Sequence, residues 1–460
     1  MTKFQKQMLT LAAAGALSAV TALPAMAFEN EFHGLFNTHF TVSNYNNGGS
    51  GDMFQGLAPV NGTVYQNSKH KKTNNYLQQR LRLQYIAKAS DDLKLVTQFE
   101  VNNLWGDRAG GVAGANGQGG GLDTDGVNLQ TKHVYLDFNV GQNFNTKVGL
   151  QAYKDTLKGI YIDADLPAIM TTTKFGKNYT LALGYSRYGT QFEDGSNKTR
   201  LGGNNLDLFI MDNTFAFNKD TKATFSYYMN ADYRNHGNDN TVHTFGLGGQ
   251  TKVSGVDVSG FVAMQAGSDK SGAKHAKNQG WAANIAAKAK VGPGVARAGF
   301  LYTSGDKDSK SNNKGWRPVM HDANNGTVNT YNESGLIILA RNTVNSPTTS
   351  DNYLRRNISD IGVGYLGYDA KLTEKINLDG GVGFAFAGEK NDHKGKYMGT
   401  EIGLTAGYQL YKNLKLMAQA GYVVLGDYYK NNTPGGYIAT TDGSKPANPY
   451  TARLQARFNF

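Results

Sequence analysis

Charged residues at a spacing of two carry the chemistry this 460-residue sequence offers. Arg80 and Arg82 share one parity with Gln78, Gln84 and Lys88, while Leu77, Leu81, Leu83, Tyr85 and Ala87 hold the other parity. Arg453 and Arg457 repeat the pattern near the end, where Tyr450, Ala452, Leu454, Ala456, Phe458 and Phe460 take the apolar parity. Arg297 joins this basic set, and Glu100, Asp137 and Glu401 hold the polar parity of their own segments. On an extended chain, alternate side chains point to opposite faces, so each set forms a row. A row of fixed guanidinium groups attracts and orients anions but breaks no bond.

Other chemistries find little support. The chain has no cysteine, which removes disulfides and thiolate metal sites. Gly362, Gly364 and Gly367 spell GxGxxG, but a strand pattern follows where a dinucleotide site needs a helix. Asp123, Asp125 and Gly126 match a fragment of a calcium loop without its third oxygen position or its distant glutamate. His33 and His39 lie six residues apart on one face, about 20 Å by strand rise, too far to share an ion. No serine stands with a convincing histidine and carboxylate. The expectation is no metal, no cofactor and no catalytic constellation.

The elements that must position the charges follow from the same alternation. Composition excludes a bundle of membrane helices, which needs repeated apolar runs of about 18 residues. With 11% aromatics the chain is not disordered, and 57 glycines with 26 tyrosines and 22 phenylalanines suit an all-β chain with many turns. Segments of roughly 9–13 alternating residues are joined in turn by tight turns and by long polar loops. The tight turns fall at 90–92, 141–143, 176–178, 218–220, 254–255, 292–294, 373–375 and 411–413. Nine longer connections lie between them, the seventh at about 305–356. Together they predict a transmembrane antiparallel β-barrel of about 18 strands, or 16 if the segments near 146–153 and 168–175 are not strands. A soluble sandwich also alternates, but it does not place charges in mid-strand on one face and large aliphatics ending in aromatics on the other.

The first residues read as an export address. Lys3 and Lys6 precede the apolar run Met8 to Ala22, and Ala25-Met26-Ala27 fits the small-x-small cleavage rule. Residues 1–27 are predicted to be a cleaved signal peptide and 28–460 a single barrel domain. An exported chain does not meet chromosomal DNA, so the net charge of +11 points to anionic solutes or surfaces and not to nucleic acid.

A signal peptide, 18 alternating segments and a last strand that stops on Phe460 together resemble the porins of Gram-negative outer membranes. The resemblance covers the mature chain. It implies a water-filled channel in the outer membrane for passive diffusion of small hydrophilic solutes and ions. It also implies contact with outer-membrane lipid and lipopolysaccharide, with Phe460 as an insertion signal for the barrel-assembly machinery. A homotrimer is implied too. The outward row Ala283, Ala287 and Ala289 serves either as its contact face or as a lipid face.

With the apolar parity outward, ten basic residues face the lumen against five acidic ones. Arg80, Arg82, Arg297, Arg453 and Arg457 lead the first set, and Glu100, Asp137 and Glu401 the second. Five of the ten are lysines beside short turns, where plain solvation also accounts for them. The excess predicts a mild anion preference. In porins the third outer loop narrows the pore. Here that connection carries Asp155, Asp163 and Asp165, which the resemblance sets as an acidic constriction facing the arginine wall. The seventh connection contains the apolar run Gly335 to Ala340, suited to a partial plug or an extra hairpin, with packing against the inner rim preferred. Two rivals share the grammar: a barrel that sheathes a redox or other partner protein, and an outer-membrane barrel enzyme.

Overall fold

The computed structural model describes residues 28–45, 51–52, 73–107, 119–122, 129–190, 205–233, 240–270, 275–307, 312–320, 328–343, 352–355, 357–391, 393–429 and 447–460. The predicted leader, residues 1–27, and the Asp123–Asp125–Gly126 fragment lie outside these residues.

The long strands run in chain order. They begin with β1 (Glu29–Ser43), β2 (Asn74–Ser90), β3 (Leu93–Leu104), β4 (Leu129–Val140), β5 (Phe144–Lys154) and β6 (Asp163–Phe175). Next come β7 (Tyr179–Thr190), β8 (Asn205–Ala216), β9 (Lys222–Asp232), β10 (Asn240–Val253), β11 (Val256–Asp269) and β12 (Trp281–Val291). The last are β13 (Gly294–Thr303), β14 (Ile361–Lys371), β15 (Ile376–Ala387), β16 (Tyr397–Tyr411), β17 (Leu414–Leu425) and β18 (Tyr450–Asn459). Each pairs antiparallel with its neighbours in sequence. β18 closes the ring on β1, with Phe36 opposite Phe458 and Thr41 opposite Arg453. The barrel therefore has 18 strands, and the segments near 146–153 and 168–175 are two of them. Closure leaves no unpaired edge, as spanning hydrocarbon requires of a sheet.

The eight tight turns all lie at one end. Gly141 and Gly176 bend two of them at φ +68° and +64°, the left-handed region where a β-carbon would be strained. The outward parity is apolar around the ring: Phe32, Leu247, Ile285, Ile402 and Leu454 are all more than half exposed. Rings gather toward the ends, with Phe175, Tyr179 and Phe215 stacked at the short-turn end and Trp281 against Tyr302 at the other. So much exposed apolar surface is stable only against lipid.

The inside is not uniformly polar. The connection between β5 and β6 turns inward and buries Leu157, Ile160, Tyr161 and Ile162. The long connection between β13 and β14 follows it and buries Trp316, Val319, Tyr331 and the run Leu336 to Ala340. The two are knit by backbone: Val319 N–H donates to the Tyr161 carbonyl (3.0 Å), Thr330 N–H to Gly159 (2.8 Å) and Asp163 N–H to Val328 (2.8 Å). Together they pack on inward side chains of the wall from β8 to β17, including Leu208, Phe261, Leu301, Val363 and Val423. The barrel thus holds a hydrophobic core of its own against one side of the lumen. Of the two placements open for Gly335 to Ala340, the run takes the inner one.

Candidate functional site

A second wall, opposite part of that core, is built from β18, β1, β2 and β3. Register sets its order. Asn37 on β1 stands opposite Arg80 on β2 and Arg457 on β18, Leu35 is opposite Arg82, and Thr41 is opposite Arg453. The four arginines therefore share one continuous face. Asn and Gln side chains hold them: Arg80 Nε donates to Asn102 Oδ1 (2.7 Å) and Arg453 Nη1 to Gln419 Oε1 (3.0 Å). Gln455 Nε2 donates to Asn37 Oδ1 (2.6 Å).

Glu100 on β3 is the carboxylate that pairs with Arg80 and Arg82 among the described residues. It lies 3.4 Å from Arg80 Nη2 and 2.5 Å from Arg82 Nε, and it accepts from Asn102 Nδ2 (2.7 Å). Among the described residues, four guanidinium groups share this face with Glu100. Arg80 and Arg453 are almost fully covered, whereas the Arg82 side chain keeps 27% of its surface open to the lumen.

Arg297 lies elsewhere. It is on β13, its Nη2 pairs with Asp379 Oδ1 at 2.5 Å, and its guanidinium fills the space beside Gly335 and Gly367. It supports the long loop and is absent from the basic face. The reason is local: glycines on the neighbouring strand and on the loop leave a slot, and Asp379 neutralises what fills it. Asp137 sits near the short turns, 3.5 Å from Lys94 Nζ, with Asn145 Nδ2 donating to it at 2.7 Å.

The acidic constriction needs correction. Asp155 does not face the arginines. It is buried and accepts N–H bonds from Gly159 (2.8 Å), Tyr161 (2.8 Å) and Ile162 (2.6 Å), which fold the loop back on itself. Asp163 pairs with Lys154 Nζ (3.2 Å) and accepts from Thr330 Oγ1 (2.6 Å). Asp165 takes Lys132 and His133, the latter at 2.8 Å. Glu401 is likewise no lumen charge: its carboxylate accepts from the amides of Ile337 (2.5 Å), Ile338 (3.0 Å) and Leu339 (2.7 Å) and is fully buried. Four acids placed in the lumen by parity or loop order are thus committed to loop backbone or to lysines.

Burial pushes the Asp155 carboxyl up to about 7, against the pull of the three loop amides, and the nearby Asp212 carboxylate adds to the rise. The sign follows. A seated loop holds Asp155 near 7, while a released loop returns it to the ordinary carboxylate range, about 4. Seating therefore takes up a proton. It is favoured most below about pH 4 and loses that advantage as pH rises through 7. Current noise from loop motion should grow between pH 5 and pH 8. Asp155→Asn, which resembles the protonated acid, should hold the quiet pattern at both. Equal noise at the two pH values in the parent chain would separate Asp155 from loop seating.

Two groups of polar residues escape a parity reading. Strict alternation puts Lys132 on the lipid face with Val134 and Leu136, but a bulge opposite Gln98 and Phe99 lets both Lys132 and His133 reach Asp165. Lys158 and Glu333, 175 residues apart, join the two inward loops at 2.7 Å. No local pattern announces that pair.

A closed 18-strand barrel with short turns at one end, long connections at the other and loops folded into its lumen has the fold of outer-membrane porins. No family model matches the sequence, and no curated protein matches it. Solved structures do match. The chain is similar to the outer membrane protein opdK from Pseudomonas aeruginosa, at TM-score 0.54 and 10% identity over 94% of this chain and 100% of that one. It is similar to OccAB1 of Acinetobacter baumannii, at TM-score 0.54 and 9% identity over 94% and 96%. It is also similar to OccK2 (OpdF) of Pseudomonas aeruginosa, solved in complex with glucuronate, at TM-score 0.52 and 12% identity over 94% and 98%. Identities this low establish the shared fold.

Proposed function

We propose that the chain is an outer-membrane diffusion channel that passes small hydrophilic solutes and ions down their gradients, with a mild preference for anions. The observation that carries this reading is the arginine face: among the described residues, Arg80, Arg82, Arg453 and Arg457 share one inward wall with Glu100. Low-dielectric walls around such a face focus its field on passing charges. The constriction is formed by the two inward loops through their apolar core, so it narrows the pore by volume. Glucuronate in one structural neighbour is an anion, which fits the same reading. The channel acts without cofactor or enzymatic step. Loops that occupy one side of the lumen weigh against a sheath for a partner protein.

Export through residues 1–27, insertion by the barrel-assembly machinery from the Phe460 strand, contact with lipid and lipopolysaccharide, and a homotrimer belong to the same proposal. The test is swelling of proteoliposomes in isotonic solutes of matched size. Small carboxylates should enter faster than neutral polyols, and polyols faster than cationic amines. Swelling no faster than in protein-free vesicles would remove the channel.

A further inference from the structure

We propose that the short-turn half of the lumen holds a second solute site, distinct from the arginine face, that takes a small polyhydroxylated anion. The site lies on β9 to β12, half the ring away from β1. There the inward loops leave a cavity of about 740 Å³, within the size range of small-molecule sites. Thr156 and Lys158 of one loop and Asn332 and Glu333 of the other overhang it.

Charge decides what enters. Among the described residues, four lysines line the cavity against three carboxylates. Lys158 is committed to Glu333 at 2.7 Å and to Ser259 Oγ at 2.9 Å, and Lys154 to Asp163 at 3.2 Å. Asp257 is committed to Lys252 at 3.2 Å. Lys222 and Lys288 have no carboxylate within 4.0 Å among the described residues, and Asp220 on the turn has no ion-pair partner among them either. Lys222 stands on β9 and Lys288 on β12, three strand spacings apart and two residues out of line, about 16 Å between backbones. Their flexible stems reach toward a ligand held between them.

The rest of the lining selects for hydroxyl groups. Thr224 and Gln250 face inward with Ser259 and each both donate and accept, as a polyol requires. Among the described residues no aromatic ring lines the cavity, so a flat aromatic anion finds nothing there to stack on. The oxyanion is a carboxylate or a phosphate, since two separated ammonium groups serve either. The arginine face draws anions by field, and this site holds those that also carry hydroxyls.

The test is calorimetric titration of the detergent-solubilised full chain with gluconate, glycerol 3-phosphate, sorbitol and benzoate. Gluconate or glycerol 3-phosphate should bind about tenfold or more tightly than sorbitol and benzoate, and the better of the two names the oxyanion. Lys222→Met with Lys288→Met should weaken that binding by about tenfold, while Lys222→Arg with Lys288→Arg keeps it. Arg80→Gln with Arg82→Gln should leave it unchanged. Binding that survives the methionine pair, falls with the arginine pair, or is matched by benzoate overturns the site, as does the absence of anion binding. The site rests on the water-filled lumen proposed above, and the two readings fail separately. A conducting chain that binds no gluconate loses only the site. A chain that binds gluconate but conducts nothing loses only the channel.

Discussion

Glu401→Lys is expected to widen the channel. In the parent chain one buried carboxylate satisfies three consecutive amides, those of Ile337, Ile338 and Leu339. Hydrogen bonds to a charged group contribute roughly 1.5–3 kcal/mol each, so the set is worth on the order of 5 kcal/mol. Burial of Leu336, Ile337, Ile338 and Leu339 holds the same loop by roughly 1.5–3 kcal/mol per side chain. Loss of the acceptor alone, as in Glu401→Gln, therefore loosens the loop without expelling it, and the expected result is a noisier channel. Lysine goes further. It sets a buried ammonium against three N–H donors, a cost of several kcal/mol on top of the lost bonds. That sum rivals the burial term and releases the run from the wall. Barrel hydrogen bonds are untouched, because the Glu401 backbone stays in register with Gly383 and Val423. Single-channel conductance of folded Glu401→Lys should exceed that of the parent. Equal conductance would mean that the loop does not narrow the pore.

The second large effect is expected from Arg80→Glu combined with Arg82→Glu. Among the described residues, the pair turns four arginines and one glutamate into two arginines and three glutamates on the same face. Selectivity should move from anions toward cations, and the shift should shrink at high salt, since the Debye length falls from about 10 Å at 0.1 M to about 3 Å at 1 M. Arg82 carries more of the effect because its side chain is the more exposed of the two, 27% against 7% for Arg80. Arg80→Gln with Arg82→Gln should fall between the parent and the reversed pair. Unchanged selectivity in the reversed pair would place both residues away from the conduction path.

Much of this architecture is legible in the chain, for a physical reason. A spanning strand must alternate, because one face meets hydrocarbon and the other does not. Leu81 and Leu83 against Arg80 and Arg82 show the rule without ambiguity. Tight turns are short enough that Gly141 and Gly176 mark them locally. The filled side of the lumen is harder to see, since it depends on residues that alternation treats as exceptions. β8 carries Leu206, Leu208 and Ile210 inward and Phe209 outward, apolar on both faces. Such a strand announces a second apolar partner inside the barrel, and the run Gly335 to Ala340 is a large part of it. The fate of the acids was hidden for another reason. Asp155 and Glu401 answer to backbone amides, and for Glu401 those amides lie 62–64 residues away. A backbone amide has no residue signature, so parity could count these two acids but could not say what they bind. Lys132 escaped through one bulge, which shifts a strand by a residue and so changes the face.

Whether the arginine face borders moving ions is measured directly by reversal potential across a planar bilayer in a salt gradient. The parent channel should reverse at a potential of the sign set by the anion, and the Arg80→Glu, Arg82→Glu pair at one shifted toward the cation value. A parent channel that reverses on the cation side would contradict the anion preference.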